Sequence, residues 1–85
     1  MHGQAPGGLF RLRVSAWEKQ PLRVIFEPTG MEHVIPAGEH FVIEVDNDGD
    51  HLPEVIHLAD SVMIHQSTSG RRTRIWNSAG DKLAI

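Results

Sequence analysis

The 85-residue sequence predicts one small all-β domain, and three observations lead to that prediction. Apolar and polar residues alternate with a period of two along most of the chain, as they do in strands with one buried face. Combinations of glycine, proline, asparagine and aspartate typical of turns separate these stretches every 8–12 residues or so, about the spacing of small β folds. No stretch shows the three-to-four periodicity of a helix. We therefore expect a small sandwich, jelly roll or barrel of about eight short antiparallel strands.

The domain is expected to span residues 9–85, preceded by a flexible N-terminal arm at residues 1–8, which are polar and rich in glycine. The arm lacks the charged and apolar regions of a secretory signal. No apolar stretch approaches the ~18–20 residues that cross a bilayer, so we expect no membrane association and a cytoplasmic location. The absence of cysteine excludes disulfides and thiolate zinc sites.

The first half of the domain contains four expected strands. They are residues 9–17, 22–27, 31–35 and 40–46. The last of these has the clearest alternation, with Phe41, Ile43 and Val45 predicted to face the core. A turn is expected at residues 36–39, where a proline is followed by a glycine that can adopt positive φ.

Four further strands are expected in the second half. They are residues 54–58, 62–66, 72–77 and 82–85. The pair Asp48-Gly49 precedes them and is typical of a hairpin turn. A further turn is expected at residues 78–81, which contain Gly80. In residues 54–58 either Ile56 and Leu58 or the alternate positions could face the core, because a one-residue slip inverts a strand. We favour Ile56 and Leu58 inward, which leaves His57 exposed.

Charge is divided along the chain. Residues 1–26 carry a balance of +3, residues 27–60 carry nine carboxylates without any lysine or arginine, and residues 61–85 again carry +3. The division predicts that the basic terminal strands lie beside the acidic middle strands as cross-strand pairs. The alternative is a charged face that binds a cation, a basic partner or a phosphate.

Six histidines accompany these carboxylates, four of them within the acidic segment. Imidazole and carboxylate together suit divalent transition metals. The segment Gly30-x5-Pro36-x-Gly38 followed by His40 resembles the start of the second cupin motif over about 11 residues. That resemblance implies a jelly roll and a metal-binding histidine, although His40 comes one position early and the first cupin motif is absent. The metal candidates are His33, His40, His57 and Glu39.

Binding of nucleic acid is not favoured by the composition. Arg72, Arg74 and Trp76 are expected on one side of a strand, which is the minimal arrangement for single-stranded nucleic acid. The chain has few aromatic residues and a net charge of −3, however, and both features argue against a dedicated nucleic-acid binder.

No nucleophile elbow, glycine-rich phosphate loop or metalloprotease signature occurs in the sequence. We therefore expect a non-catalytic binding or interaction module without a cofactor. Short strands leave edges and apolar faces that association covers, so a homo-oligomer is expected, with another protein partner as a further possibility. The alternative is a cupin-like protein that binds a divalent transition metal.

Overall fold

The computed structural model describes residues 9–27, 29–46, 52–65 and 73–84, and all regular secondary structure in these ranges is strand. The strands are β1 Leu9–Ser15, β2 Leu22–Glu27, β3 Met31–Ile35, β4 His40–Asp46, β5 Glu54–His57, β6 Ser61–His65, β7 Thr73–Trp76 and β8 Lys82–Leu83. They form two four-stranded sheets: sheet A in the order β1-β4-β7-β8 and sheet B in the order β3-β2-β6-β5. The prediction of an all-β fold is confirmed, and the two separate sheets form a sandwich rather than a closed barrel. The predicted N-terminal arm lies outside the described residues.

The core lies between the inner faces of the two sheets, and both sheets contribute to it. Its fully or nearly buried side chains are Ala16, Val24, Phe26, Ile35, Phe41, Ile43, Val45, Val62, Ile64 and Ile75. Phe41, Ile43 and Val45 alternate along β4, which confirms the inward face that the sequence predicts for that strand. Alternation with a period of two is thus enough to direct apolar side chains of each sheet into the core.

The topology differs from the expected antiparallel arrangement in one pair of strands. β2 and β6 run parallel, with Val24 opposite Val62 and Phe26 opposite Ile64, whereas the other paired strands are antiparallel. Parallel neighbours need a long crossover, and here the chain between β2 and β6 includes a strand, β4, of the other sheet.

The hairpin predicted at Asp48-Gly49 does not join its flanking strands to each other. Residues 47–51 lie outside the described residues, but β4 pairs with β1 and β7 in sheet A while β5 pairs with β6 in sheet B. The chain therefore passes from one sheet to the other at this point. An Asp-Gly pair favours a tight turn locally, and it does not determine which strands pair.

The orientation of β5 is the opposite of the one that we favoured from sequence. Val55 and His57 lie opposite Ile64 and Val62, which are core residues, so they share the inner side of sheet B. Ile56 lies opposite Met63 on the outer side. The burial nevertheless follows the prediction: Val55, at 52%, and His57 are exposed, whereas Ile56 and Leu58 are half-buried, because β5 is the edge strand of its sheet.

Two predicted turns are confirmed. In residues 36–39 the amide of Glu39 donates to the carbonyl oxygen of Pro36 at 3.0 Å, and Gly38 has a φ of 78°. In the β7–β8 turn Gly80 has a φ of 89°. Only glycine adopts such values at little cost.

The strand registers also place four connections at one end of the sandwich. The last residues of β1, β3, β5 and β7 lie at the same end as the first residues of β2, β4, β6 and β8. The β1–β2, β3–β4, β5–β6 and β7–β8 connections therefore lie close together at that end.

Candidate binding surfaces

The outer face of sheet A is covered by an ion-pair network across three strands. Arg11 of β1, Glu44 of β4 and Arg74 of β7 lie directly opposite one another. Glu44 lies 3.4 Å from the Nε atoms of both arginines, and Arg74 Nη2 donates to Asp46 Oδ1 at 2.8 Å. The hydrogen bond from Arg74 to Asp46 is the main reason that the pKa of Arg74 lies above its ordinary value.

This network confirms the cross-strand pairing that the charge division predicts. The acidic strand β4 lies between the basic strands β1 and β7, so its carboxylates meet arginines from both ends of the chain. Beyond the network, Arg13, Val42, Trp76 and Lys82 lie opposite one another in a second row. Arg74 and Trp76 therefore share the outer face, as expected, whereas Arg72 lies outside the described residues.

The outer face of sheet B has an apolar centre. Ile25, Met63 and Ile56 lie opposite one another on β2, β6 and β5, and all three are only partly buried. Glu32 continues this row on β3. We call Ile25, Met63 and Ile56 the apolar row.

Charged residues lie on both sides of the apolar row. On one side Arg23 lies within 3.7 Å of Glu32 and 3.6 Å of Asp60. On the other side Glu27, His65 and Glu54 lie opposite one another on three neighbouring strands. This face therefore combines the apolar row with flanking charges of opposite sign along β2, Arg23 on one side and Glu27 on the other.

A pocket of about 170 Å³ opens at the end of the sandwich where the four connections gather. The β1–β2 connection contributes Trp17 and Gln20, and the β5–β6 region contributes His57, Asp60 and Ser61. We call this site the Trp17 pocket. Trp17 is 64% exposed at the pocket, so much of its indole ring is accessible to a ligand.

Ser61 is the one buried polar residue of the described chain, at 2% exposure, and it lines the Trp17 pocket. Its backbone carbonyl accepts a hydrogen bond from the amide of Leu58 at 2.9 Å. Within the ranges that the structure describes, its hydroxyl has no hydrogen-bond partner. A buried hydroxyl without a partner loses its hydration on folding and gains nothing in return, so it calls for a ligand or a water.

The charged groups around the pocket already have partners within the chain. Asp60 is paired with Arg23, and Lys19 Nζ lies 5.7 Å from the ring centroid of Trp17 in a cation–π contact. The side chains that line the pocket include no lysine or arginine among the described residues. The pocket thus presents an aromatic surface, uncharged hydrogen-bonding groups such as those of Gln20 and Ser61, and one carboxylate that is paired with Arg23.

His33, a predicted metal candidate, has a structural position between the sheets. Its ring packs edge-on against Phe26 and Phe41, with centroids 6.2 and 6.1 Å away. Its Nε2–H donates to the carbonyl oxygen of Ala84 at 2.6 Å. The side chain thus links β3 of sheet B to the strand β4 and the C-terminal segment of sheet A.

The other metal candidates lie elsewhere. His40 begins β4, where its backbone amide and carbonyl both bond to the hydroxyl of Ser78, at 2.9 and 3.0 Å. Glu39 lies in the turn before it, and His57 lines the Trp17 pocket. Among the described residues no three histidine, aspartate or glutamate side chains are arranged to hold a metal ion. The shared metal site stays a prediction from sequence, and the structure does not place its four candidate residues near one another.

Sequence reasoning missed both the Trp17 pocket and the apolar row. No sequence signal marked the pocket, since Trp17 was expected at the end of strand 9–17, and Gln20 and Ser61 belong to no recognisable motif. The apolar row could not be seen in the sequence, because alternation within one strand does not show which strands become neighbours and so does not place Ile25 beside Met63. The described part of the chain contains no helix long and apolar enough to cross a membrane.

Comparisons with known proteins do not add to these observations. No protein-family model, curated protein or solved structure matches this chain.

Proposed function

We propose that this protein is a non-catalytic interaction module that associates with a second copy of itself through the outer face of sheet B. The observation that carries the proposal is the apolar row, which lies partly exposed in the middle of that face. Apolar side chains that no other described element covers favour association, because their contact with water is lost in the interface.

Charge complementarity selects a second copy as the occupant. Ile25 lies in the middle of β2, with Arg23 two residues before it and Glu27 two residues after it on the same outer face. A two-fold axis parallel to the apolar row brings each row onto its own copy and reverses the direction of β2. Arg23 of one copy then faces Glu27 of the second copy, and this contact occurs twice.

The two neighbours of Arg23 act differently in this arrangement. Asp60 lies at the end of the strands, outside the row. Glu32 lies in the row, so the same axis brings it towards Glu32 of the second copy, and Arg23 of each copy, which contacts its own Glu32, offsets part of that repulsion. The Arg23 side chain is 47% exposed, although it contacts both carboxylates. An interfacial ion pair of this kind sets orientation and register more than it adds affinity.

The contact is small, and the association is correspondingly weak. Four strands about 4.8 Å apart make a face only ~15–20 Å wide. Interfaces below ~1,200 Å² of total buried surface belong to the weak, transient class. We expect a dimer with a dissociation constant between roughly 10 µM and 1 mM.

Sedimentation velocity over that concentration range tests the proposal with a matched pair of variants. Ile56→Glu buries a charge in the apolar row, so it should weaken the dimer at least about tenfold. Val42→Glu is the control, because Val42 is also a half-buried branched residue but lies on the outer face of sheet A. It should leave the dissociation constant unchanged.

A charge exchange tests the two-fold geometry itself. Arg23→Glu and Glu27→Arg should each weaken the dimer, because each places like charges opposite one another across the axis. The double variant should restore it, since the pair is then reversed but complementary. A wild-type protein that remains monomeric at 1 mM, or equal losses in Ile56→Glu and Val42→Glu, would contradict the proposal.

A further inference from the structure

We infer that the Trp17 pocket is a binding site for a neutral, hydroxyl-rich ring of the size of a single monosaccharide. This inference goes beyond the proposed self-association. The pocket lies at the end of the sandwich, whereas the apolar row lies on the outer face of sheet B, so either can fail without the other.

The volume of the pocket sets the size of the ligand. An engineered protein cavity of ~150 Å³ admits one benzene molecule. The Trp17 pocket, at about 170 Å³, therefore takes one six-membered ring. Trp17, which lines the pocket, is 64% exposed, so substituents on a ring beside it can extend into solvent.

The unpartnered hydroxyl of Ser61 is the observation that points to a ligand. Ser61 is 2% exposed and lines the pocket, and within the described ranges its hydroxyl makes no hydrogen bond. A hydroxyl both donates and accepts, so its natural complement is another hydroxyl. The Gln20 amide and the His57 imidazole add donors and acceptors around the same space.

The charges around the pocket favour a neutral ligand. An anion would meet the Asp60 carboxylate without any lysine or arginine among the described lining residues. A cation would have to compete with Arg23 for Asp60 and would be repelled by Lys19, which lies over the Trp17 ring. A neutral ring meets neither obstacle.

The exposed indole ring of Trp17 completes the chemistry. A pyranose has an apolar face of C–H groups and an edge of hydroxyls, so it can lie against an aromatic ring while its hydroxyls bond to polar side chains. Tryptophan suits this role because its large ring offers apolar area at low conformational cost. The proposed pose places the sugar C–H face on Trp17 and one hydroxyl on Ser61 Oγ.

Titration with glucose, galactose and mannose, followed by amide and indole chemical shifts of the 15N-labelled protein, tests this inference. The indole N–H resonances separate Trp17 from Trp76, and Trp76→Phe assigns them. Saturable shifts of the Trp17 indole and the Ser61 amide are expected for at least one hexose. The dissociation constant should lie near 1 mM, the range for so small a ligand in a shallow site.

Three variants distinguish a built site from incidental contact. Trp17→Ala should abolish saturation, and Ser61→Ala should raise the dissociation constant roughly five- to tenfold for the loss of one hydrogen bond. Trp76→Phe, in which the other tryptophan is replaced, should leave it unchanged. Thermal denaturation of each variant confirms that it is folded.

Several results would overturn the inference. One is the absence of saturable shifts with all three hexoses up to ~50 mM, some fifty times the expected dissociation constant. Another is an unchanged dissociation constant in Ser61→Ala, because a water would then satisfy the buried hydroxyl. Tighter binding of tetramethylammonium than of any hexose would assign the pocket to a cation instead.

Discussion

Each of the two sheets has four strands, yet their outer faces carry different kinds of side chain. On sheet A, Glu44 and Asp46 of the second strand are covered by Arg11 and Arg74 from its two neighbours. On sheet B, the corresponding central row is Ile25, Met63 and Ile56. Sheet A therefore meets water with paired charges, and sheet B meets it with aliphatic side chains.

The difference follows from where the chain places its charges. Sheet A takes its first, third and fourth strands from the two basic ends of the sequence and only β4 from the acidic segment. Sheet B takes β3 and β5 from the acidic segment, so its carboxylates find few cations and gather at its margins. A face with satisfied charges resists contact, whereas an apolar row between charged margins invites it.

The largest expected effects test whether the two inner faces are equivalent despite this difference. Ile43 of sheet A is 0% exposed and Ile64 of sheet B is 2% exposed. Ile43→Ala and Ile64→Ala should each lower the free energy of unfolding by about 2–5 kcal/mol, because each leaves a cavity in the shared core. Urea denaturation measures both.

Ile43→Val and Ile64→Val replace the alanine variants if alanine unfolds so small a domain. Each valine variant should lower the free energy of unfolding by about 0.5–1.5 kcal/mol. A large cost in one sheet and a negligible cost in the other would mean that the two sheets do not share one core.

A smaller effect is expected at the link between the sheets. His33→Leu keeps most of the apolar contact with Phe26 and Phe41 but removes the hydrogen bond to Ala84, so it should lower the free energy of unfolding by about 1 kcal/mol. His40→Leu is the control, because His40 bonds to Ser78 through its backbone alone. Its cost should stay below about 0.5 kcal/mol in the same thermal or urea measurement. Equal costs would remove His33 as a link.

The smallest effects concern the outer faces themselves. Glu44→Gln removes the charge that two arginines share, and it should lower the free energy of unfolding by about 1 kcal/mol at low salt and by less at high salt. Met63→Gln should cost about 0.5 kcal/mol or less at any salt concentration, while it weakens the proposed dimer. Urea denaturation at low and high ionic strength separates the two. A cost of Glu44→Gln that does not depend on salt would contradict the ion-pair account of sheet A.

Much of the fold could be predicted from particular residues. The alternation of Phe41, Ile43 and Val45 identified the inner face of β4, and Gly38 and Gly80 marked turns that require positive φ. The candidate sites could not be predicted in the same way. Trp17 and Ser61 are 44 positions apart in the chain and belong to no motif, so nothing local relates them.

The predicted metal site shows that residues close in sequence need not lie in one site. His33 and His40 are seven positions apart, and both are polar residues that suit a metal. The fold gives the two histidines different surroundings, because β3 and β4 belong to different sheets. His33 is then occupied by a carbonyl oxygen and two aromatic rings.

The sequence by itself determined that this chain forms short strands with one apolar face, that turns fall at Gly38 and Gly80, and that the acidic strand β4 would find basic neighbours. Only the tertiary structure decided that β2 pairs with β6 in parallel, that β4 and β5 belong to different sheets, and that Ile56 faces outward. The reason is physical. A period of two records which side of a strand is buried, whereas the choice of neighbour depends on how all the faces pack at once.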